Sequence, residues 1–150
     1  MNTINIYIHG HGTQHGQGGW GAILRNENTA KQTHLFGGAL RKATTEHMEI
    51  MSAIQALGAL KRPCVVNMFT ESDTVRRIFE EDYLPKDYKT LALELQYYAT
   101  EHQIAVIRLA RHDAHHGDTK VYDLVHEGIQ EAKERYRLNR NMLDRIPTHF

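Results

Sequence analysis

A single cysteine, Cys64, excludes an internal disulfide and a zinc knuckle built on paired thiolates. Set between Pro63 and Val65-Val66, it reads as a small buried hydrophobe. No apolar run approaches the ~18 residues of a membrane span. Residues 1–20 hold no basic segment followed by an apolar stretch, so no signal peptide is expected, and a soluble intracellular protein is the default expectation. Neither sign of charge is in excess: 18 Lys+Arg face 18 Asp+Glu, so no global field draws the chain to phosphate. Disorder is excluded too, because 41% of residues are apolar and 24% charged, the mixture of an ordinary globular protein. At 150 residues the chain is the size of one domain and long enough to bury a full core without staples. What it has in quantity is histidine. There are 11, and His9, His11 and His15 form one cluster while His112, His115 and His116 form another.

Thr3 to Ile8 alternates polar and apolar residues and reads as a strand. His9 to Gly19 is rich in glycine and reads as a loop, with Trp20–Leu24 and Thr29–Gly38 returning as second and third strands of an antiparallel meander. The glycine-rich segment has no following helix and no lysine, so it makes a poor phosphate cradle of the P-loop kind. Thr44-Thr45 caps a helix whose Ile50, Ile54 and Leu57 share one face. Cys64–Phe69 is a short buried strand. Helices follow from Glu71-Ser72-Asp73 to about Glu80 and over Thr90–Thr100, then a strand over Gln103–Leu109. Val121, Val125, Ile129, Ala132 and Tyr136 mark a last long helix. The order β-β-β-α-β-α-α-β-α predicts a mixed α/β sheet covered by helices. Sites in such sheets gather at strand ends where the strand order switches.

His9 ends the first predicted strand, Glu49 lies in the first turns of the first helix, Glu71 ends the fourth strand, and Asp123 lies in the first turn of the last helix. All four are metal-ligand types, and acids gathered at strand ends raise each other's pKa unless a cation offsets them.

Here the sequence resembles the ribonuclease H family, over roughly residues 3–132. The resemblance is carried by Tyr7-Ile8-His9-Gly10 followed by Gly18-Gly19-Trp20-Gly21-Ala22-Ile23-Leu24, by Thr44-Thr45-Glu46-His47-Met48-Glu49-Ile50-Met51-Ser52-Ala53-Ile54, by Phe69-Thr70-Glu71-Ser72, and by His112 to Asp123, which carries one inserted residue. It implies the ribonuclease H-like fold: a five-stranded mixed sheet, three antiparallel strands then two, flanked by helices. It implies a domain over residues 1–136 with a C-terminal tail over 137–150. It also implies hydrolysis of the RNA strand of RNA–DNA hybrids through two divalent metals held by four carboxylates, with a mobile histidine at His112, or at His115 or His116 given the inserted residue. Carried over by position, the metal and catalytic quartet is His9-Glu49-Glu71-Asp123, and substrate contacts fall on Gly10, Thr44, Thr45 and Ser72.

Two of the quartet depart from the family's acids. Paired metals lie ~3.5–4 Å apart and share a bridging ligand. The His9 imidazole has one lone pair, so it does not bridge. Imidazole suits Mn²⁺ better than Mg²⁺ and is compatible with Zn²⁺, so Mn²⁺ is the expected cofactor. Glu71 keeps the charge but reaches one methylene further than aspartate. Thr45-Glu46 stands where the family has a backbone-contacting Asn-Asn pair, and Glu80-Glu81-Asp82 stands where many members have a basic handle. Nucleic-acid binding is therefore expected to be weak, and a protein partner is compatible with the same features. The first expectation is a metal-dependent nuclease with an altered site. The alternative is a catalytically inactive ribonuclease H-fold module that binds nucleic acid or a protein. The histidine clusters also raise a third expectation, a transition-metal-binding protein, beside which solvated loop histidines are the simpler account.

Overall fold

The structure, a computed structural model, describes residues 1–110 and 120–144, with side chains to residue 140 in the last helix. In chain order the elements are β1 (Thr3–Gly12), β2 (Gly18–Asn26), β3 (Gln32–Ala39), α1 (Thr45–Gly58), β4 (Val65–Thr70), α2 (Asp73–Glu80), α3 (Lys89–Glu101), β5 (Gln103–Arg108) and α4 (Lys120–Asp144). The strands form one sheet in the order β3-β2-β1-β4-β5. The first three are antiparallel, and β4 and β5 add on in parallel, as the sequence predicts.

Alternation along β1 divides the core between two layers. Ile4, Ile6 and Ile8 are buried against Ile50, Ala53, Ile54 and Leu57 of α1, within a cluster that also takes in α2 and α3. Tyr7 faces the other way, onto Ile23, Val121 and Leu124, under α4. The side chain of Thr44 accepts a hydrogen bond from the His47 amide at 3.0 Å and caps α1, and its Oγ1 also lies 2.5 Å from the Tyr88 hydroxyl. Removing an N-cap costs about 1 kcal/mol. Thr44→Ala is expected to lower the melting temperature by ~2–4 °C; an unchanged melt in circular dichroism would show that the cap contributes nothing.

Two boundaries differ from the sequence expectation. β1 does not end at His9 but continues to Gly12, pairing His9 with Gly21, Gly10 with Trp20 and Gly12 with Gly18. The glycines here answer to helix packing rather than to a loop. A Cβ on Gly10 would stand 2.3 Å from the Glu49 amide nitrogen, and one on Gly19 would stand 2.2 Å from the Val125 carbonyl oxygen. The second difference is at the far end, where α4 continues past Tyr136, the last residue of its predicted periodicity, to Asp144. Ala132 is buried under this helix, and Arg135 donates to the Gly38 carbonyl at 3.3 Å.

The parallel pairing of β1 with β4 stops at Tyr7 and Phe69, whose rings stack with centroids 4.7 Å apart. Past this point β1 keeps its partner on one side only. The opening left beside it is where the cleft forms.

Candidate functional site

A cleft of about 1310 Å³ lies at this opening, lined by His9, Gly10, Glu49, Glu71, Arg108 and Tyr122 among others. Four elements supply its polar side chains. His9 is two residues past Tyr7, so the strand period turns it to the α4 side of the sheet. Glu71 directly follows β4. A turn in which the Ser72 amide donates to Thr70 Oγ1 at 2.9 Å fixes its backbone. Glu49 comes from the opposite layer, one turn into α1, and Gly10 lets that helix approach the strand. Tyr122 comes from the first turn of α4.

These groups meet as follows. The Tyr122 hydroxyl donates a short hydrogen bond to Glu71 Oε1. The Tyr122 ring sits edge-on to the His9 imidazole, with centroids 4.4 Å apart and planes at 66°. His9 Nδ1 stands 3.8 Å from Glu71 Oε2, near enough for electrostatic attraction and too far for a hydrogen bond. Burial pushes the His9 pKa below its ordinary value, the nearby Glu71 carboxylate opposes that shift and His11 adds to it, so the imidazole is neutral at pH 7. Burial, then the bond to Glu71, pushes the Tyr122 hydroxyl up to about 12, so it stays protonated and remains a donor. Burial raises Glu49 to about 7; a hydrogen bond with Ser72 opposes the shift, and the charges of Glu46 and Glu71 add to it.

The expected residues are distributed unevenly. His9, Glu49 and Glu71 share the cleft, and Asp123 does not line it. Asp123 is exposed while Val121, Leu124 and Val125 are buried. At 3.6 residues per turn, position 123 lies about 150° from the middle of that buried stripe. The place at the cleft that the resemblance gives to a fourth acid is taken by Tyr122. Gly10 and Thr45 line the cleft, but the Thr45 hydroxyl already accepts from the Gly12 amide at 3.0 Å. Thr44 is used as a cap. Ser72 is buried and accepts from the Val75 amide at 3.1 Å, capping α2, so it positions Glu71 and Glu49 and does not face the cleft. His112, His115 and His116 lie outside the described residues. Tyr122, Arg108 and His11 line the cleft without having been singled out as ligands from the sequence.

The donor set bears on the divalent metals that the resemblance implies. Two cations need a bridging carboxylate and further acids around it. Among the described residues the groups that meet here are two carboxylates, the His9 imidazole with a single lone pair, and a phenol that donates to one of the carboxylates. Among the described residues, no three His, Cys, Asp or Glu side chains gather in a metal-holding arrangement. These residues do not fit a two-cation site, and the quartet His9-Glu49-Glu71-Asp123 is not brought together.

Known proteins match this chain along its length. The sequence model of the RNase H family matches residues 1–130. Ribonuclease H of Cupriavidus necator (strain H16) is 34% identical over 145 residues, covering 87% of this chain and 97% of that one. Ribonuclease H of Acidovorax sp. (strain JS42) is 49% identical over 78 residues, a match spanning about half of each chain, 51% of both. Among solved structures, the N-terminal RNase H domain of rv2228c from Mycobacterium tuberculosis superposes with a TM-score of 0.74 at 17% identity, covering 91% of this chain and 99% of that one. LC11-RNase H1 in complex with RNA/DNA hybrid gives a TM-score of 0.72 at 19% identity, covering 86% and 98%. The family match, a relative one-third identical over nearly its whole length and the shared sheet agree, and this chain belongs to the ribonuclease H family.

Proposed function

We propose that this chain recognises RNA–DNA hybrid duplexes across the cleft between the ends of β1 and β4, and that its work there is binding without two-cation hydrolysis. Family membership supports the hybrid as ligand, and one of the structural neighbours is itself described with an RNA/DNA hybrid bound. The observation that carries the non-hydrolytic reading is the donor set: two carboxylates, a neutral His9 and a protonated Tyr122 in place of four acids. When bound in such a cleft, divalent cations supply charge neutralisation at the phosphate and an activated water. Among the described residues, the side chains at the cleft do not make up a cage that would hold two of them.

The remaining groups suit docking. Arg108 lines the cleft with its side chain 55% exposed, and its ion pair with Asp73 is a loose 3.7 Å, so the guanidinium is available to a phosphate. Glu46, on the first turn of α1, accepts from Thr74 at 3.0 Å, and its charge acts on Glu49 at the cleft, an acidic neighbour that works against a phosphate. Binding is therefore weak and sensitive to salt.

Fluorescence anisotropy with a labelled hybrid tests recognition, and cleavage of the same hybrid in Mg²⁺ and in Mn²⁺ tests hydrolysis. Saturable, salt-sensitive binding without cleavage in either metal is the expected result. Cleavage in Mn²⁺ that Glu49→Ala abolishes would reinstate the metal-dependent nuclease that the sequence first suggests. No binding at low salt would remove the hybrid as ligand.

A further inference from the structure

We infer that Tyr122 stands in for the cation at this site: its phenolic proton gives Glu71 the partner that a divalent ion would otherwise provide, and hybrid binding is thereby independent of divalent metal. This deepens the binding reading above and rests on it for the identity of the ligand.

Several features place the phenol there and hold it. Tyr122 is in the first turn of α4, between the buried Val121 and Leu124. That turn is pressed onto β2 at Gly21, where a Cβ would stand 2.6 Å from Leu124 Cβ and 2.9 Å from the Val121 carbonyl oxygen. While α4 is seated, this close packing fixes where the Tyr122 ring stands. The ring lies edge-on against His9, a favourable aromatic geometry, and the hydroxyl ends on Glu71 Oε1. Glu71 therefore has one oxygen engaged by a hydroxyl and the other 3.8 Å from His9 Nδ1.

Chemistry favours the substitution. A carboxylate in a partly enclosed cleft needs a positive or proton-bearing partner. A divalent ion meets that need where several acids converge. Here one acid, Glu71, receives a neutral donor, and the other, Glu49, is in the opposite layer and satisfied in part by Ser72. The aromatic ring lies against His9 while its hydroxyl reaches Glu71, so both side chains are engaged from the α4 side. Those two side chains alone offer an incoming cation only two donors, and Mg²⁺ held by two protein donors keeps most of its water.

Calorimetric titration of Mn²⁺ into the metal-free protein is the test, with Tyr122→Phe and the double variant His9→Asp/Tyr122→Asp alongside, each checked for folding by circular dichroism. The wild type is expected to bind Mn²⁺ at least about tenfold more weakly than the double variant, a ratio within the range that ligand-shell changes produce. Tyr122→Phe, which removes the proton donor and keeps the ring, is expected to fold and to bind Mn²⁺ no more weakly than the wild type. Wild-type binding as tight as the double variant's would overturn the inference, as would a loss of Mn²⁺ binding in Tyr122→Phe, because the phenol would then be a ligand. Hybrid affinity measured in EDTA and in Mn²⁺ separates the two claims. Equal affinities support the inference. A requirement for Mn²⁺ overturns it. No hybrid binding in either buffer, with the metal titrations as expected, removes the hybrid and leaves the role of Tyr122 standing.

Discussion

Gly128→Ala is expected to lower the melting temperature by roughly 6–12 °C, because overpacking at a backbone-to-backbone contact costs about 3 kcal/mol and each kcal/mol shifts a domain of this size by ~2–4 °C. A Cβ at this position would stand 2.0 Å from the Gly37 carbonyl oxygen. No side chain can swing aside to make room. The atom it meets is backbone in a paired strand, and Gly38 faces the same helix, with its own Cβ position 2.5 Å from the Gly128 carbonyl oxygen. Either α4 lifts from the sheet or β3 bends. Lifting α4 also draws Tyr122 off Glu71, so the substitution should expose the cleft although it lies almost two helical turns away. Thermal melts followed by circular dichroism check the first effect, and a melting temperature within about 2 °C of the wild type would show that α4 tolerates the extra carbon.

The second large effect is on stability against pH, and it comes from Glu49. Burial raises its carboxyl from 4.5 to about 7. Between those values the native chain binds a proton that the unfolded chain has released, so stability falls as pH rises through the window and the cost is complete above pH 7. A shift of this size corresponds to at most about 3 kcal/mol, and the part of the side chain that reaches water reduces it. His9 acts with the opposite sign. Its pKa is lowered, so the unfolded chain binds more protons below 6.5 and stability rises with pH there. Urea unfolding of the wild type and Glu49→Gln in EDTA, at about pH 5 and about pH 8, separates the two. The variant is expected to lose the fall assigned to Glu49 and to gain stability relative to the wild type at the higher pH. Parallel curves for the two proteins would show that Glu49 titrates normally.

Most of the fold was legible because its signals are local. Thr3–Ile8 alternates with the period of a half-buried strand, Thr44 caps α1 through its own hydroxyl, and Val121, Val125, Ile129 and Ala132 repeat with the helical period. The glycines misled at the first hairpin. The run from His9 to Gly19 reads as a loop when judged by propensity, yet β1 continues to Gly12 and β2 begins at Gly18, because α1 and α4 need strands without side chains beneath them. That demand is tertiary and leaves no local trace. At the site, Glu49 and Glu71 were found from their motifs. Asp123 also came from its motif, and the buried stripe of the same helix turns it to solvent. Tyr122 was not singled out, because its residue type gave no reason to look for a site there. Arg108 could not be found in the same way, because nothing near the end of β5 announces that β1 and β4 part company two residues before His9.

The sheet divides the core unequally. On one side three helices share a broad cluster running from Ile4 to Leu95, and on the other α4 covers the sheet alone, above Ile23 and Tyr7. Native-state hydrogen exchange should resolve this as two cooperative units. Amides of β1, β4 and α1 exchange through global unfolding. Those of α4 exchange through a cheaper opening, with the turns beyond Ala132 fastest. Each such opening would carry Tyr122 away from Glu71 while Glu49 and the strands beneath stay folded, leaving the carboxylates bare to solvent within an otherwise intact architecture.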